Sequence, residues 1–199
     1  YNKTYEYGSA IDFPGEGDLP ERAGYDFMGW TLGANDPNTI VESEQIATSD
    51  TTYYAKWEVK KYQVAFNYNE KGNDSTIVGP IELEYNSIII FPDQYQVPER
   101  EGYTFIGWSK NILSSGIGTE AHTIDTTNQR VQARENEVQT FYGVWKPITY
   151  KVVYHGNGFT GGNTSESTHT YGVSTPLTIN GYTKQGHTFI GWATSADGN

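Results

Sequence analysis

Cysteine is absent from the 199-residue chain, which removes disulfides, thiolate nucleophiles and Cys-containing zinc sites together. The compartment is therefore unreadable from redox chemistry. Cations are scarce as well. With 13 Lys and Arg against 24 Asp and Glu, the net charge is −11, and nucleic-acid affinity comes largely from cationic side chains meeting phosphates. Nucleic acid is not an expected partner. Long apolar runs are missing too: the densest, Ile88 to Phe91, falls far short of the ~20 residues of a membrane helix. The opening YNKTYEYG resembles neither a signal peptide nor an amphipathic anchor. The segment is expected to be soluble and not to insert into a membrane, with any signal or anchor lying outside it. No window of about 12 residues sustains a helical apolar stripe. The nearest candidates start at Val41 and surround Val131, so helix should be a minor component.

What the chain does have is aromatics. They make up 15% of residues, as 16 Tyr, 8 Phe and 5 Trp, while all hydrophobic residues reach only 36%. Burial must therefore rest on rings, a palette that suits strands. The rings recur in order. GYDFMGW at Gly24 to Trp30, GYTFIGW at Gly102 to Trp108 and GHTFIGW at Gly186 to Trp192 share at least four of seven positions in every pair. Each is preceded by EYG, EYN or TYG at Tyr7, Tyr85 and Tyr171; the first two intervals from tyrosine to tryptophan are equal and the third is two residues shorter. YYAKW, ending at Trp57, answers FYGVW, ending at Trp145, and alternating segments follow from Lys61 and Thr149.

One unit thus reads strand, EYG strand, GY-aromatic-x-GW, YxxW strand. The chain divides into residues 1–58 without an opening strand, a complete copy at 59–147, and residues 148–199 without a closing strand. The expected picture is a slice through a longer array of small domains, with unpaired strand edges on both partial copies. The interval from Trp108 to Trp145 exceeds that from Trp30 to Trp57, so the polar stretch at about 109–138 carries an insertion.

In the segment from Lys61, Tyr62, Val64, Phe66 and Tyr68 share one face and Gln63, Ala65 and Asn67 the other, the signature of a half-buried strand. Tyr103 and Phe105 share a face likewise, and Gly107 before Trp108 suits a bulge or a close backbone approach that re-aims the indole. Pro14, Pro20, Pro92 and Pro98 mark connectors expected to be extended loops, with one short helix left open. The fold expected is mainly β, with an α+β variant open and little helix. The repeat core is expected at Tyr25, Phe27, Trp30, Trp57, Tyr103, Phe105, Trp108, Trp145, Phe189 and Trp192.

With its YG strand, GYTFIGW and terminal YAKW-type strand, the unit resembles the Listeria–Bacteroides repeat, the B-repeat of internalins and other bacterial surface proteins. The family's Asn-Gly-Gly turn survives only as HGNGFTGGN in the third copy and becomes NYNEKGND in the second, a departure confined to a loop. The resemblance implies tandem β-grasp, ubiquitin-like domains on an exported bacterial protein, serving as a stalk between an adhesive domain and an anchor.

Other motifs compete with blander readings. Gly156, Gly158 and Gly161 satisfy G-x-G-x-x-G after a strand, but a dinucleotide turn must open a helix and NTSESTHTYGV is polar and alternating, so a hairpin loop is expected. His122, His155, His169 and His187 lack metal-ligand spacing, and His187 stands where Tyr25 and Tyr103 do. No G-x-S-x-G elbow occurs. The acidic pairs Glu42/Glu44, Glu99/Glu101 and Glu135/Glu137 read as solvated edges rather than as glycosidase carboxylates or calcium ligands. The N-x-[ST] triplets at Asn2, Asn38, Asn73 and Asn163 are incidental in a bacterial protein. The five tryptophans suit either a repeated core or, for an exposed ring, a sugar platform.

Residues 1–58 carry 3 positive and 11 negative charges, 59–147 carry 8 and 11, and 148–199 carry 2 and 2, so the copies differ in surface. The expectation is a monomeric, non-catalytic surface spacer with no catalytic, cofactor-binding or metal site and no cofactor. The alternative is a module binding a host protein or glycan through exposed aromatics, the insertion or a free sheet edge.

Overall fold

The computed structural model describes residues 2–33, 39–41, 44–71 and 75–197. In chain order the described strands are β1 (Ala10–Ile11), β2 (Tyr25–Thr31), β3 (Gln45–Ile46), β4 (Tyr54–Val59), β5 (Lys61–Asn67), β6 (Ile77–Glu84), β7 (Tyr103–Ser109), β8 (Val138–Pro147), β9 (Thr149–Val152), β10 (Gly161–Gly162), β11 (Ser167–Thr170) and β12 (Tyr182–Thr183). Helix is limited, among the described residues, to 3-10 turns at Glu16–Asp18, Ser114–Gly116 and Glu120–His122. The fold is mainly β, as the aromatic palette and the missing helical stripe predict.

The chain forms two compact units: Tyr1–Asn67 with Ile77–Pro92 and Ile124–Phe141, and Tyr68–Thr76 with Asp93–Thr123 and Tyr142–Asn199. In the first, β1 pairs with β3, β2 with β4 and β5 with β6, all antiparallel. Its core is Tyr62, Val64, Phe66, Ile89, Val131 and Phe141, each no more than 7% exposed. In the second, β7 pairs with β8, β9 with β11 and β10 with β12, over Tyr68, Trp108, Val144, Trp145 and Tyr154. β8 contributes residues to both units, and the strand order of its sheet is β6-β5-β8-β7.

The alternation of β5 holds at Tyr62, Val64, Phe66 and Tyr68, all buried, with Gln63 exposed. It breaks at Ala65, which is also buried. There β6 carries an irregularity between Val64 and Phe66, and Gly79 passes so close that a Cβ on it would meet the Val64 carbonyl. Covered from β6, the small side chain of Ala65 loses the exposure that strict alternation assigns it.

Candidate functional site: repeated aromatic clusters and the junctions between copies

Residues three apart in a regular strand point to opposite faces. In β2 the register slips between Phe27 and Gly29, and in β7 between Phe105 and Gly107, so Met28 and Ile106 are bulged. Each bulge brings together a Phe and a Trp that a regular strand would separate. The Phe27–Trp30 rings lie 5.3 Å apart at 68° and Phe105–Trp108 5.4 Å apart at 70°. The facing strand adds a third ring: Phe27–Trp57 at 5.6 Å and Phe105–Trp145 at 5.5 Å, both edge-on. The glycine that follows each bulged residue has positive φ, 127° at Gly29 and 143° at Gly107, and carries the bend.

The clusters are reproduced, but their burial differs. Trp108 and Trp145 are each 2% exposed, whereas Tyr25, Phe27, Trp30, Trp57, Tyr103, Phe105 and Trp192 are half-buried. In the third copy Phe189 lies 5.0 Å from Trp192, so that pair also meets, yet Phe189 is 47% and Ile190 99% exposed. No described strand lies beside this GHTFIGW segment to cover it. Trp192 leans instead on Tyr154 at 4.6 Å and donates from Nε1 to the Thr178 carbonyl.

Two junctions join consecutive copies, and both are built alike. In the first unit the Lys60 amide donates to the Gly24 carbonyl at 2.9 Å and the Tyr85 amide to the Lys60 carbonyl at 2.8 Å. In the second, the Ile148 amide donates to Gly102 at 2.9 Å and the Tyr171 amide to Ile148 at 3.0 Å. A single linking residue is thus held by backbone bonds to both copies. The ring of the EYN or TYG tyrosine lies over the glycine of the preceding copy: Tyr85 over Gly24 and Tyr171 over Gly102, where a Cβ would overlap the ring. The same tyrosine meets the next residue edge-on, Tyr25–Tyr85 at 6.0 Å and Tyr103–Tyr171 at 5.4 Å. Arginine covers the inner tyrosine, Arg22 at 3.8 Å and Arg100 at 4.0 Å from the ring centre. Arg100 also donates to the Ser115 carbonyl, a residue of the insertion. In the first junction Lys60 bridges Asp26 and Glu135 at 3.3 and 3.2 Å, which raises its pKa, with the Glu135 bond the larger cause.

The tyrosines of the EYG motif were legible in the sequence as repeat markers. The role of Gly24 and Gly102 as saddles for them was not, because the partners lie in different copies, nor was the cover of Tyr25 by Arg22 and of Tyr103 by Arg100. A signal did exist: arginine recurs three residues before the GY tyrosine, with Lys184 in that place in the third copy.

The other marked residues fall into local structure. Gly156, Gly158 and Gly161 lead from β9 through a loop into β10, without the helix a dinucleotide turn needs. His122 closes a capping box with Thr119, His155 accepts from the Asn157 amide, and His187 pairs with the Gln185 carbonyl. His169, 5% exposed, stacks on Tyr150 and bonds Ser167 at 2.7 Å. Ser167 in turn bonds the Tyr154 hydroxyl, which accepts from the Thr178 amide. Burial pushes the Tyr154 phenol up, but the bonds with Ser167 and Thr178 outweigh it and leave the pKa below the usual tyrosine value. Glu99, Glu101, Glu135 and Glu137 are exposed, as are Asn2 and Asn163; Asn38, Glu42 and Asn73 lie outside the described residues. No group of three or more His, Asp or Glu that could hold a metal occurs among the described residues.

A β-protein made of repeated aromatic clusters, with each copy stitched to the next through a glycine saddle and a linking backbone, is a tandem-repeat protein. The chain belongs to the Listeria-Bacteroides repeat domain family, whose model matches residues 1–56, 62–132 and 150–199. Two curated relatives come from Evansella cellulosilytica. One, described as a "Putative membrane protein", is 33% identical over 98% of this chain and 26% of its own length. The other, a "Putative Gly-rich membrane protein", is 31% identical over 96% of this chain and 21% of its own length. The chain therefore spans about a quarter or less of the relatives it matches. No solved structure matches. No helix among the described residues is long and apolar enough to cross a membrane.

Proposed function

We propose that this chain is a non-catalytic spacer on the surface of a bacterial cell, a series of repeats that holds an adhesive or other functional domain away from its anchor. The observation that carries this reading is the equivalence of the two junctions. A saddle glycine, a stacked tyrosine, an arginine cover and a doubly bonded linking residue recur at Gly24–Tyr85 and Gly102–Tyr171. Selection for a ligand acts on one surface, whereas selection for a chain of copies acts on the join. The acidic balance of the chain limits self-association and fits a monomer.

The test displays a peptide tag on a bacterial surface through this chain, with the middle copy present once or twice. A spacer lets the tag be captured by a bulky antibody more readily with two copies than with one, whatever the exposed residues of that copy. If capture of host protein or glycan follows the insertion at 109–138 instead, and copy number leaves tag access unchanged, the chain is a binding module.

A further inference from the structure

In the first unit a groove of about 320 Å³ lies where the EYN turn meets the end of the insertion, lined by Tyr85, Asn86, Arg130 and Gln132 among others. Its volume is at the small end of small-ligand sites. The wall is fixed by backbone bonds: the Asn86 amide donates to Val131 at 2.9 Å, the Val131 amide to Ser87 at 3.1 Å and the Ile89 amide to Gln129 at 2.9 Å. Val131, 2% exposed, is the anchor, and alternation about it turns Arg130 and Gln132 outward. The buried Gln139 clamps the same segment from behind. Its Oε1 accepts from the Gln132 amide at 3.0 Å and its Nε2 donates to the Arg130 carbonyl at 3.3 Å. The Arg130 guanidinium directs one N–H to the Asn86 carbonyl at 2.6 Å. The groove is thus formed before any ligand arrives.

The first copy has the same framework with different side chains. There the Gly8 amide donates to Ala47 at 2.7 Å and the Ala47 amide to Ser9 at 2.9 Å, and Ala10 pairs with Ile46 as Ile88 pairs with Arg130. Gly8, Ile46 and Thr48 are therefore the counterparts of Asn86, Arg130 and Gln132. The backbone does not need the middle copy's polar set, and at one position it is served worse by it. Asn86 has φ +62°, where the first and third copies place glycine, Gly8 at +79° and Gly172 at +74°. A residue that strains the backbone where glycine serves twice over is there for its side chain. The side-chain amides of Asn86 and Gln132 have no partner among the described residues, and Arg130 has no ion pair among them. In a chain of net charge −11, the groove is lined by one guanidinium and no carboxylate.

We infer that the middle copy carries a saccharide site selective for a sugar ring that bears a carboxylate. Arg130, steadied by its bond to the backbone, offers its remaining donors to the carboxylate. The amides of Asn86 and Gln132 each present a donor and an acceptor to neighbouring ring hydroxyls, and the Tyr85 ring supplies the apolar side of the groove. One cation among amides suits a ligand with a single charge and several hydroxyls; a polyanion needs more cations than the groove holds. The site belongs to one copy and adds to the spacer reading without resting on it.

The test titrates the 199-residue chain with trigalacturonic acid, sialyllactose, neutral lactose and acetate, each to about 10 mM, reading affinity by calorimetry and location by amide hydrogen exchange. The expected result is saturable binding of one or both acidic sugars, about tenfold or more tighter than lactose or acetate, with protection at residues 128–133. Which of the two binds identifies the kind of acidic sugar. Arg130→Ile and Asn86→Gly each install the first copy's own residue on the same framework. The first should weaken binding by about tenfold or more and the second by about three- to tenfold, the worth of a charged and of a neutral hydrogen bond, with exchange in β5 and β8 unchanged. Arg130→Lys, which keeps the charge and loses the planar fork, should retain only part of the affinity. The proposal is overturned if neither acidic sugar saturates, if lactose or acetate binds as well, if Arg130→Ile or Asn86→Gly leaves affinity unchanged, or if protection falls elsewhere than residues 128–133.

Discussion

At the scale of single residues, glycine does the work a sequence reader is apt to assign to the rings. Gly102 and Gly186 have nearly the same backbone, φ +76° and +72°, but a tyrosine ring lies on the first and nothing lies within 4 Å of where a Cβ on the second would be. Gly186→Ala therefore reports backbone strain alone, about 1–2 kcal/mol. Gly102→Ala adds displacement of Tyr171 and should cost about 1 kcal/mol more, the order of an aromatic pair; equal losses in denaturant unfolding would remove the saddle from the account. Glu70 supplies a pH handle. The side chain is 5% exposed, its Oε1 accepts from the Thr76 amide at 2.8 Å, and its Oε2 has no partner. Burial pushes the carboxyl up, but the bonds from Thr76 prevail and leave the pKa below the ordinary value. The unfolded chain thus binds the proton first as pH falls. The stabilisation is complete above the ordinary glutamate range and is lost as pH drops through that range toward the folded value. Glu70→Gln should flatten this acid limb in melts taken across it, lowering stability above the ordinary glutamate range, where the carboxylate contributes in full, and changing it little in acid, where the native side chain is protonated.

At the scale of elements, the strands were the legible part. Alternation placed Tyr62, Val64, Phe66 and Tyr68 on one buried face because each ring has only one side on which to escape water. Gly107 before Trp108 suggested a bulge or a close backbone approach, and the register slips immediately before Gly107, as it does before Gly29 in the first copy. What a period of two could not show is the consequence, that Phe27 meets Trp30 and Phe105 meets Trp108, because the inserted residue changes the parity of everything after it. Ala65 escaped for a similar reason, its burial depending on an irregularity in the neighbouring strand β6 rather than on its own sequence. The junctions were hidden more deeply. Gly24 and Tyr85, or Gly102 and Tyr171, are far apart in sequence and share no local period, so only the recurrence of their order carried any trace of them.

At the scale of the molecule, the same motif is not equally deep in every copy, and the difference follows from neighbours. A buried strand covers Trp108 and Trp145, which are 2% exposed. Trp30, Trp57 and Trp192 have the same sequence context and equivalent rings beside them, yet remain half-buried. Acrylamide quenching of the whole chain should accordingly resolve two populations, a shielded pair and a more accessible set of three, rather than five equivalent tryptophans. Trp108→Phe should lower the shielded fraction and Trp192→Phe the accessible one. Stability should follow the same order, since the free energy of local opening tracks the apolar surface each element buries. Amides of β5 and β8 should exchange slowest and those of residues 186–192 fastest, because Phe189 and Ile190 already stand in water. Uniform exchange across the three copies would mean that the repeats unfold as one cooperative body, and the junction bonds, not the strand cores, would then have to carry most of the stability.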